Sequence, residues 1–153
     1  MKAVIQRVKN ASVEIDGVVR GKCGNGFMIL FCAVDGDTPD DVELLARKTA
    51  NLRVFEDEHQ KMNKSILDIG GEVLCISQFT LAADTKKGNR PSFINAMEPV
   101  TAQMYYEEYC EALRKNGIKS VQTGEFGADM QVSLINDGPV TIILDTDVWN
   151  KKV

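Results

Sequence analysis

At 153 residues, with 44% hydrophobic and 26% charged residues, the chain reads as one globular domain, 1–153, long enough to bury a sizeable core. Its composition argues against disordered, collagenous and repeat architectures. The formal charge of −4 argues against a protein that coats nucleic acid non-specifically, though not against one that grips a single end of it.

The N-terminus alternates, with Val4, Gln6 and Val8 against Ile5 and Arg7. That period predicts a strand over residues 2–10 and lacks the continuous apolar stretch of a signal peptide. The longest apolar run, Phe27 to Val34, is far too short to span a bilayer. A cytoplasmic protein without a membrane association is expected. Asp16-Gly17, between Val13–Ile15 and Val18–Arg20, predicts a tight hairpin. Gly21, Gly24 and Gly26 have the wrong order for a dinucleotide fingerprint and lead into a strand, Phe27–Val34, so they read as turn glycines.

Thr38-Pro39-Asp40-Asp41 opens a helix: a hydroxyl cap, a proline suited to the first turn, and carboxylates at the positive end. Val42, Leu45, Ala46, Thr49 and Leu52 form its apolar stripe. Short strands at Arg53–Phe55 and Ile66–Ile69 are expected around a polar hairpin, and Gly70-Gly71 turns the chain into an apolar strand over Glu72–Ala83. After a basic loop, a second helix starts near Pro99 and stops at Asn116-Gly117. Val100, Met104, Tyr105, Tyr109, Ala112 and Leu113 are its expected inner face, with Glu107, Glu108 and Glu111 toward water. Strands at Ser120–Thr123, Met130–Ile135 and Val140–Asp145 close the chain. The fold class is α/β of the α+β kind: a largely antiparallel sheet with two main helices, too few for alternating β-α crossovers.

The scarce residues exclude chemistry. Cys23, Cys32, Cys75 and Cys110 are widely spaced, none in a CxxC pair, and read as buried structural thiols. The single histidine, His59, lies in a polar run and reads as a solvated hairpin tip. With it set aside, a Ser-His-Asp triad, a Cys-His dyad and a histidine-based zinc site lose their central part.

Two segments carry residues that strands rarely contain. Ser77-Gln78-Phe79-Thr80-Leu81 puts polar groups at the end of an apolar strand. An unpaired buried hydroxyl or amide costs roughly 1–3 kcal/mol, so these groups either bond to neighbouring backbone or line a pocket. Asn136-Asp137-Gly138-Pro139-Val140-Thr141 lies between two apolar strands. Asp137-Gly138 offers a hairpin turn, while Gly-Pro is a place where a cis peptide bond can occur.

Together the two segments resemble the signature motifs of the D-aminoacyl-tRNA deacylases. Met1-Lys2-Ala3-Val4-Ile5-Gln6-Arg7-Val8 and Lys87-Gly88-Asn89-Arg90-Pro91-Ser92-Phe93 are similar to that family as well, and the resemblance runs to about Asp145. It implies a barrel-like core and a homodimer with its active site at the subunit interface. It also implies hydrolysis of the ester between a D-amino acid and the 3′-terminal ribose of tRNA, without metal or organic cofactor. Gly138 and Pro139 would be the chiral filter, reaching into the partner's site so that their carbonyls occupy the space of an L side chain. Ser77, Gln78, Phe79 and Thr80 would form the catalytic pocket, and Arg7 would brace the Gly-Pro loop.

An aminoacyl ester is already activated, so positioned water and a held oxyanion suffice without histidine. Backbone amides near Phe79 and Thr80 would hold the oxyanion, an interaction typically worth ~3 kcal/mol in the barrier. The general base would be the ribose 2′-hydroxyl, with Thr80 as a competing nucleophile that lacks an adjacent base. Lys86, Lys87 and Arg90 would contact phosphates of the tRNA acceptor end, or else form an ordinary solvated loop. Glycyl-tRNA is an expected further substrate. The rivals are a non-catalytic RNA-end-binding module and a hydrolase of small D-amino-acid esters.

Overall fold

The computed structural model describes residues 1–150, and residues 151–153, which the single-domain expectation includes, lie outside the described residues. Strand β1 (Lys2–Ile15) organises the sheet. One of its edges pairs antiparallel with β3 (Gly26–Cys32) over the first half and with β2 (Val18–Cys23) over the second. Its other edge pairs antiparallel with β8 (Gln131–Asp145) along nearly the whole length. Beyond β3 lie β6 (Glu72–Ser77) and β7 (Val121–Thr123), both joined in parallel. The sheet curls until β2 meets β7, where the Lys22 amide donates to Gln122 Oε1 at 2.8 Å, so the core is nearly closed and barrel-like.

Helix α1 (Pro39–Ala50) lies in the connection between the parallel pair β3 and β6, and α3 (Pro99–Lys115) in that between β6 and β7. Two helices thus suffice for two crossovers, contrary to the expectation that they would be too few. Strand alternation gives the sheet two buried faces. Phe27, Ile29, Phe31, Val73 and Cys75 join the cluster shared with α1 and α3, while Met28, Leu74 and Ile76 join Val8, Ala11 and Val13 on the other side. Tyr109 stacks on Phe31 at 4.9 Å and hydrogen-bonds Thr49 of α1 at 2.9 Å. Tyr106 donates to the Cys75 carbonyl at 2.5 Å. All four cysteines are free and buried, and burial pushes the Cys23 thiol up to about 11.

Several local expectations change. The first strand continues through residues 11–15, bending at a bulge between Val13 and Glu14. Of the three glycines, only Gly24 lies in the bend; Gly21 is inside β2 and Gly26 opens β3. At Gly26 (φ +154°) any Cβ would collide with the Glu72 carbonyl, so this glycine admits the close approach of β6. Residues Ile66–Ile69 form a short helix, α2, because Ser65 and Asp68 close a reciprocal cap over its first turn. The polar hairpin pairs instead between β4 (Phe55–Glu56) and β5 (Met62–Lys64), with His59 exposed at its tip. The apolar strand expected to reach Ala83 ends at Ser77, and Phe79–Ala82 is a 3-10 turn.

In α3, Val100 and Met104 are exposed (76% and 48%), and Tyr106 and Cys110 take the inward positions. In the first turn of α3, Pro99 and Ala102 line a cavity, while Val100 and Met104 belong neither to that lining nor to the core, so the apolar stripe begins a turn later than its sequence suggests. Residues Met130–Ile135 and Val140–Asp145 are not a hairpin: both belong to β8 and face β1 in one direction. A fourth helix, α4 (Thr146–Asn150), follows where no element was expected. No helix among the described residues is long and apolar enough to cross a membrane.

Candidate active site

The parallel strands β3 and β6 end side by side, with Phe31 opposite Ser77. Beyond that point the chain leaves the sheet: the Gln78 amide still donates to the Phe31 carbonyl at 2.7 Å, and Phe79 then starts the 3-10 turn. The strand ends open onto a cavity of about 680 Å³. Ser77, Gln78 and Phe79 line it, and Phe93, Phe126 and Met130 come to it from two loops distant in sequence. Phe79 and Phe93 meet edge to face at 5.2 Å, giving this side of the cavity an aromatic wall.

Thr80 lies outside the lining, exposed, and is tied to it by Gln78, whose Nε2 donates to Thr80 Oγ1 at 2.5 Å. An amide nitrogen cannot accept the hydroxyl proton, and no carboxylate or imidazole bonds to this hydroxyl among the described residues. The cavity's one thiol, Cys32, has its pKa raised chiefly by burial and donates to the Phe79 and Ala33 carbonyls, so it is not a thiolate nucleophile. The carboxylates at the cavity are Glu98 and Asp129. Glu98 accepts from the amides of Val100 and Thr101 at 2.8 and 3.1 Å, which holds its carboxyl below the usual range. Its charge is thereby committed to the N-terminus of α3. No cluster of three or more metal-ligating side chains occurs among the described residues.

The basic loop is a neighbour of this wall. Asp84 and Ser92 exchange backbone hydrogen bonds at 2.7 and 2.9 Å, pinching residues 85–91 into a projecting loop between the 3-10 turn and Phe93. Lys86, Lys87 and Arg90 are exposed there, without ion pairs among the described residues.

The second signature segment lies elsewhere. Pairing of β8 with β1 runs through Asn136 opposite Val8 and resumes with Thr141 opposite Gln6, so residues 137–140 bulge out beside Arg7. The Gly138-Pro139 bond is cis, and both residues are exposed. Arg7 is buried beneath them: Nε donates to the Asp137 carbonyl at 3.0 Å and Nη1 to the Val54 carbonyl at 2.6 Å. Phe31 lies opposite Ala3, four residues from Arg7 along β1, or about 13 Å at the usual rise. Gly138 and Pro139 are absent from the cavity lining. Within one chain, then, Ser77, Gln78 and Phe79 are brought together and Gly138 and Pro139 are kept away from them.

Sequence reasoning missed Phe126, Met130 and Glu98 at the cavity. The signal for the first was a glycine-flanked aromatic, Gly124-Glu125-Phe126-Gly127, in a stretch too polar for a strand. Phe93 follows directly on the basic loop, and its sequence position alone gives it no role.

A family model described as D-Tyr-tRNA(Tyr) deacylase matches residues 4–145. A D-aminoacyl-tRNA deacylase of Parabacteroides distasonis is 51% identical over 146 residues, covering 95% of this chain and 97% of that protein. One of Ruegeria pomeroyi is 54% identical over 145 residues, covering 95% and 99%. Among solved structures, one described as a c-Myc DNA unwinding element binding protein superposes with a TM-score of 0.90 at 46% identity, covering 95% of this chain and 98% of the other. Another, described as a probable eukaryotic D-amino acid tRNA deacylase, shares the fold with a TM-score of 0.76 at 14% identity, covering 94% and 97%.

Proposed function

The chain belongs to the D-Tyr-tRNA(Tyr) deacylase family, and from that premise we propose that it cleaves the ester between a D-amino acid and the 3′-terminal ribose of tRNA. The class is that of its close relatives, hydrolases named D-aminoacyl-tRNA deacylases. The observation that carries the mechanism is at Thr80: its hydroxyl receives a hydrogen bond from Gln78 and, among the described residues, bonds to no group that could take its proton. Water is therefore the nucleophile. The substrate's 2′-hydroxyl orients it, and the amides at the start of the 3-10 turn, which have no acceptor within so short a helix, hold the oxyanion. Ser77, Gln78 and Phe79 shape the pocket, and its aromatic wall suits the terminal nucleoside.

Gly138 and Pro139 act as the chiral filter, with Arg7 as their brace. Because the segment is exposed and does not line its own chain's cavity, the reading requires a homodimer in which each chain supplies the filter to the other. A filter of main-chain carbonyls rejects L side chains, accepts varied D side chains and lets glycine through, so glycyl-tRNA is a substrate. Lys86, Lys87 and Arg90 contact the acceptor end, and the enzyme works in the cytoplasm.

The test is a deacylation time course on D-tyrosyl-, L-tyrosyl- and glycyl-tRNA, repeated at decreasing protein concentration alongside sedimentation. Turnover of the D and glycyl substrates with the L substrate spared, and activity per chain falling as the dimer dissociates, is the expected result. Tight binding of RNA ends without turnover would favour the non-catalytic module, and equal turnover of free D-amino-acid esters the small-ester hydrolase. Full activity in a proven monomer would remove the shared site.

A further inference from the structure

Resting on the reading of Gly138 and Pro139 as the filter, we propose that Asn136 is a positioning residue that fixes the exit of that segment, as Arg7 fixes its entry. Residues 137–140 have left the β1 ladder, so their backbone groups are without strand partners and the segment has an open side. Such an excursion keeps one conformation only if its ends are tied. Arg7 Nε reaches the Asp137 carbonyl, at the start. At the end, Asn136 Oδ1 accepts from the Val140 amide at 3.0 Å, spanning the Gly-Pro pair from one flank to the other. The same side chain donates through Nδ2 to Thr141 Oγ1 at 3.1 Å, and that hydroxyl also accepts from Gln6 Nε2 of β1 at 3.3 Å. One amide thus joins both flanks of the excursion to each other and, through Thr141, to the sheet.

The side-chain requirements are specific. The acceptor must sit two bonds from Cβ to close onto Val140, and the second function must reach the Thr141 hydroxyl, which here accepts from Asn136 Nδ2. Asparagine supplies both as found; aspartate keeps the acceptor and meets Thr141 only if that hydroxyl turns to donate; alanine loses both. The loss is geometric, because the carbonyls of Gly138 and Pro139 stay in place chemically but gain freedom of direction. A filter made of carbonyls works only where they point, so loosening it alters discrimination before it alters the fold.

The experiment measures kcat and KM on D-tyrosyl-tRNA, the rate on L-tyrosyl-tRNA, and the melting temperature of the full chain. For Asn136→Ala the expected result is at least a ten-fold fall in kcat with KM within three-fold, and at least a ten-fold narrowing of the D-to-L rate ratio. Asn136→Asp is expected to recover most of both, and Thr141→Val to narrow the ratio about three-fold. A folded Asn136→Ala with an unchanged ratio overturns the proposal, as do equal losses in the Ala and Asp variants that track melting temperature. Should Asn136→Ala not fold, an unchanged ratio in Thr141→Val overturns it. Gly138→Ala separates this failure from failure of the filter reading. A Cβ there would lie 2.9 Å from Val140 Cγ2 and 3.0 Å from Arg7 Nη2, at φ +129°, so the segment must shift. A ratio altered by Gly138→Ala but untouched by Asn136→Ala leaves the filter standing and removes Asn136. A ratio untouched by Gly138→Ala removes the filter, and the role of Asn136 with it.

Discussion

The cavity at the ends of β3 and β6 and the bulge on β8 are built in opposite ways. The cavity is concave and walled by the ends of two buried strands, the start of α3 and two loops, so its shape follows from the packing of the core. The bulge is convex and exposed at Gly138 and Pro139, anchored in the core only by Val140 and by the buried Arg7, and its shape follows from a few side-chain hydrogen bonds. A concave site tolerates the loss of one lining contact, because neighbours still exclude water and hold the fold. A protrusion held by two or three directed bonds does not. The chemistry proposed for the first and the selection proposed for the second should therefore respond differently to substitution.

The largest effect is expected from the substrate. Replacing the terminal 2′-hydroxyl by hydrogen should cost on the order of 10²–10⁴ in rate, the usual range for a lost general acid–base group. Thr80→Ala should cost only about ten-fold, as for one neutral hydrogen bond. Complete loss in Thr80→Ala with an acyl-threonine trapped by mass spectrometry would reverse the two and move the nucleophile into the protein.

Next comes the bulge. Arg7→Ala leaves the buried Val54 carbonyl without its donor and frees the Asp137 carbonyl. It should destabilise the chain by roughly 2–4 kcal/mol, seen as a melting point lowered by about 5–15 °C. Deacylation should fall on the order of a hundred-fold, as for a group misplaced by about an ångström. Stability lost with activity and D-to-L ratio retained would show that Arg7 supports the fold and leaves the segment's direction alone.

The basic loop should matter less. Three cations neutralise few phosphates, so the dependence of log binding constant on log salt should have a slope of about −3. Replacing Lys86, Lys87 and Arg90 with alanine should bring it near zero. A slope unchanged in that variant would place the RNA contacts elsewhere.

The smallest effect tests the cavity rim. The carboxyl of Glu98 is held below its ordinary value of 4.5 by the Val100 and Thr101 amides. A folded-state pKa below the unfolded one contributes stability above pH 4.5 that is lost as pH falls through the folded value. Wild type and Glu98→Gln should therefore melt apart at neutral pH and converge in strong acid. Curves that differ equally at both would show that charge is not what caps α3.

Much of this was legible along the chain. The period-two alternation of β1, the capped start of α1, the Asn116-Gly117 stop of α3 and the burial of four lone cysteines all follow from local chemistry. So did the two polar segments, since Ser77–Thr80 and Asn136–Thr141 interrupt apolar runs that had no local reason to be interrupted. The errors were also local readings. Ile66–Ile69 looks like a strand by its isoleucines, but its Ser65–Asp68 cap outweighs β-propensity over so few residues. Asp137-Gly138 looks like a hairpin turn, yet β1 is long enough to pair both flanks and draws them into one strand.

The sequence by itself determined both long helices, most of the strands and their buried faces, and the inventory of reactive groups, because caps, periodicity and the lack of a usable histidine are properties of short stretches. Only the tertiary structure decided that Phe93, Phe126 and Met130 would share a cavity with Ser77 and Phe79, and that the Gly-Pro segment would stand apart from it. Those facts depend on strand order and register. Strand order and register are set by how two long strands and two crossovers close a curled sheet, and no short stretch of sequence carries that information.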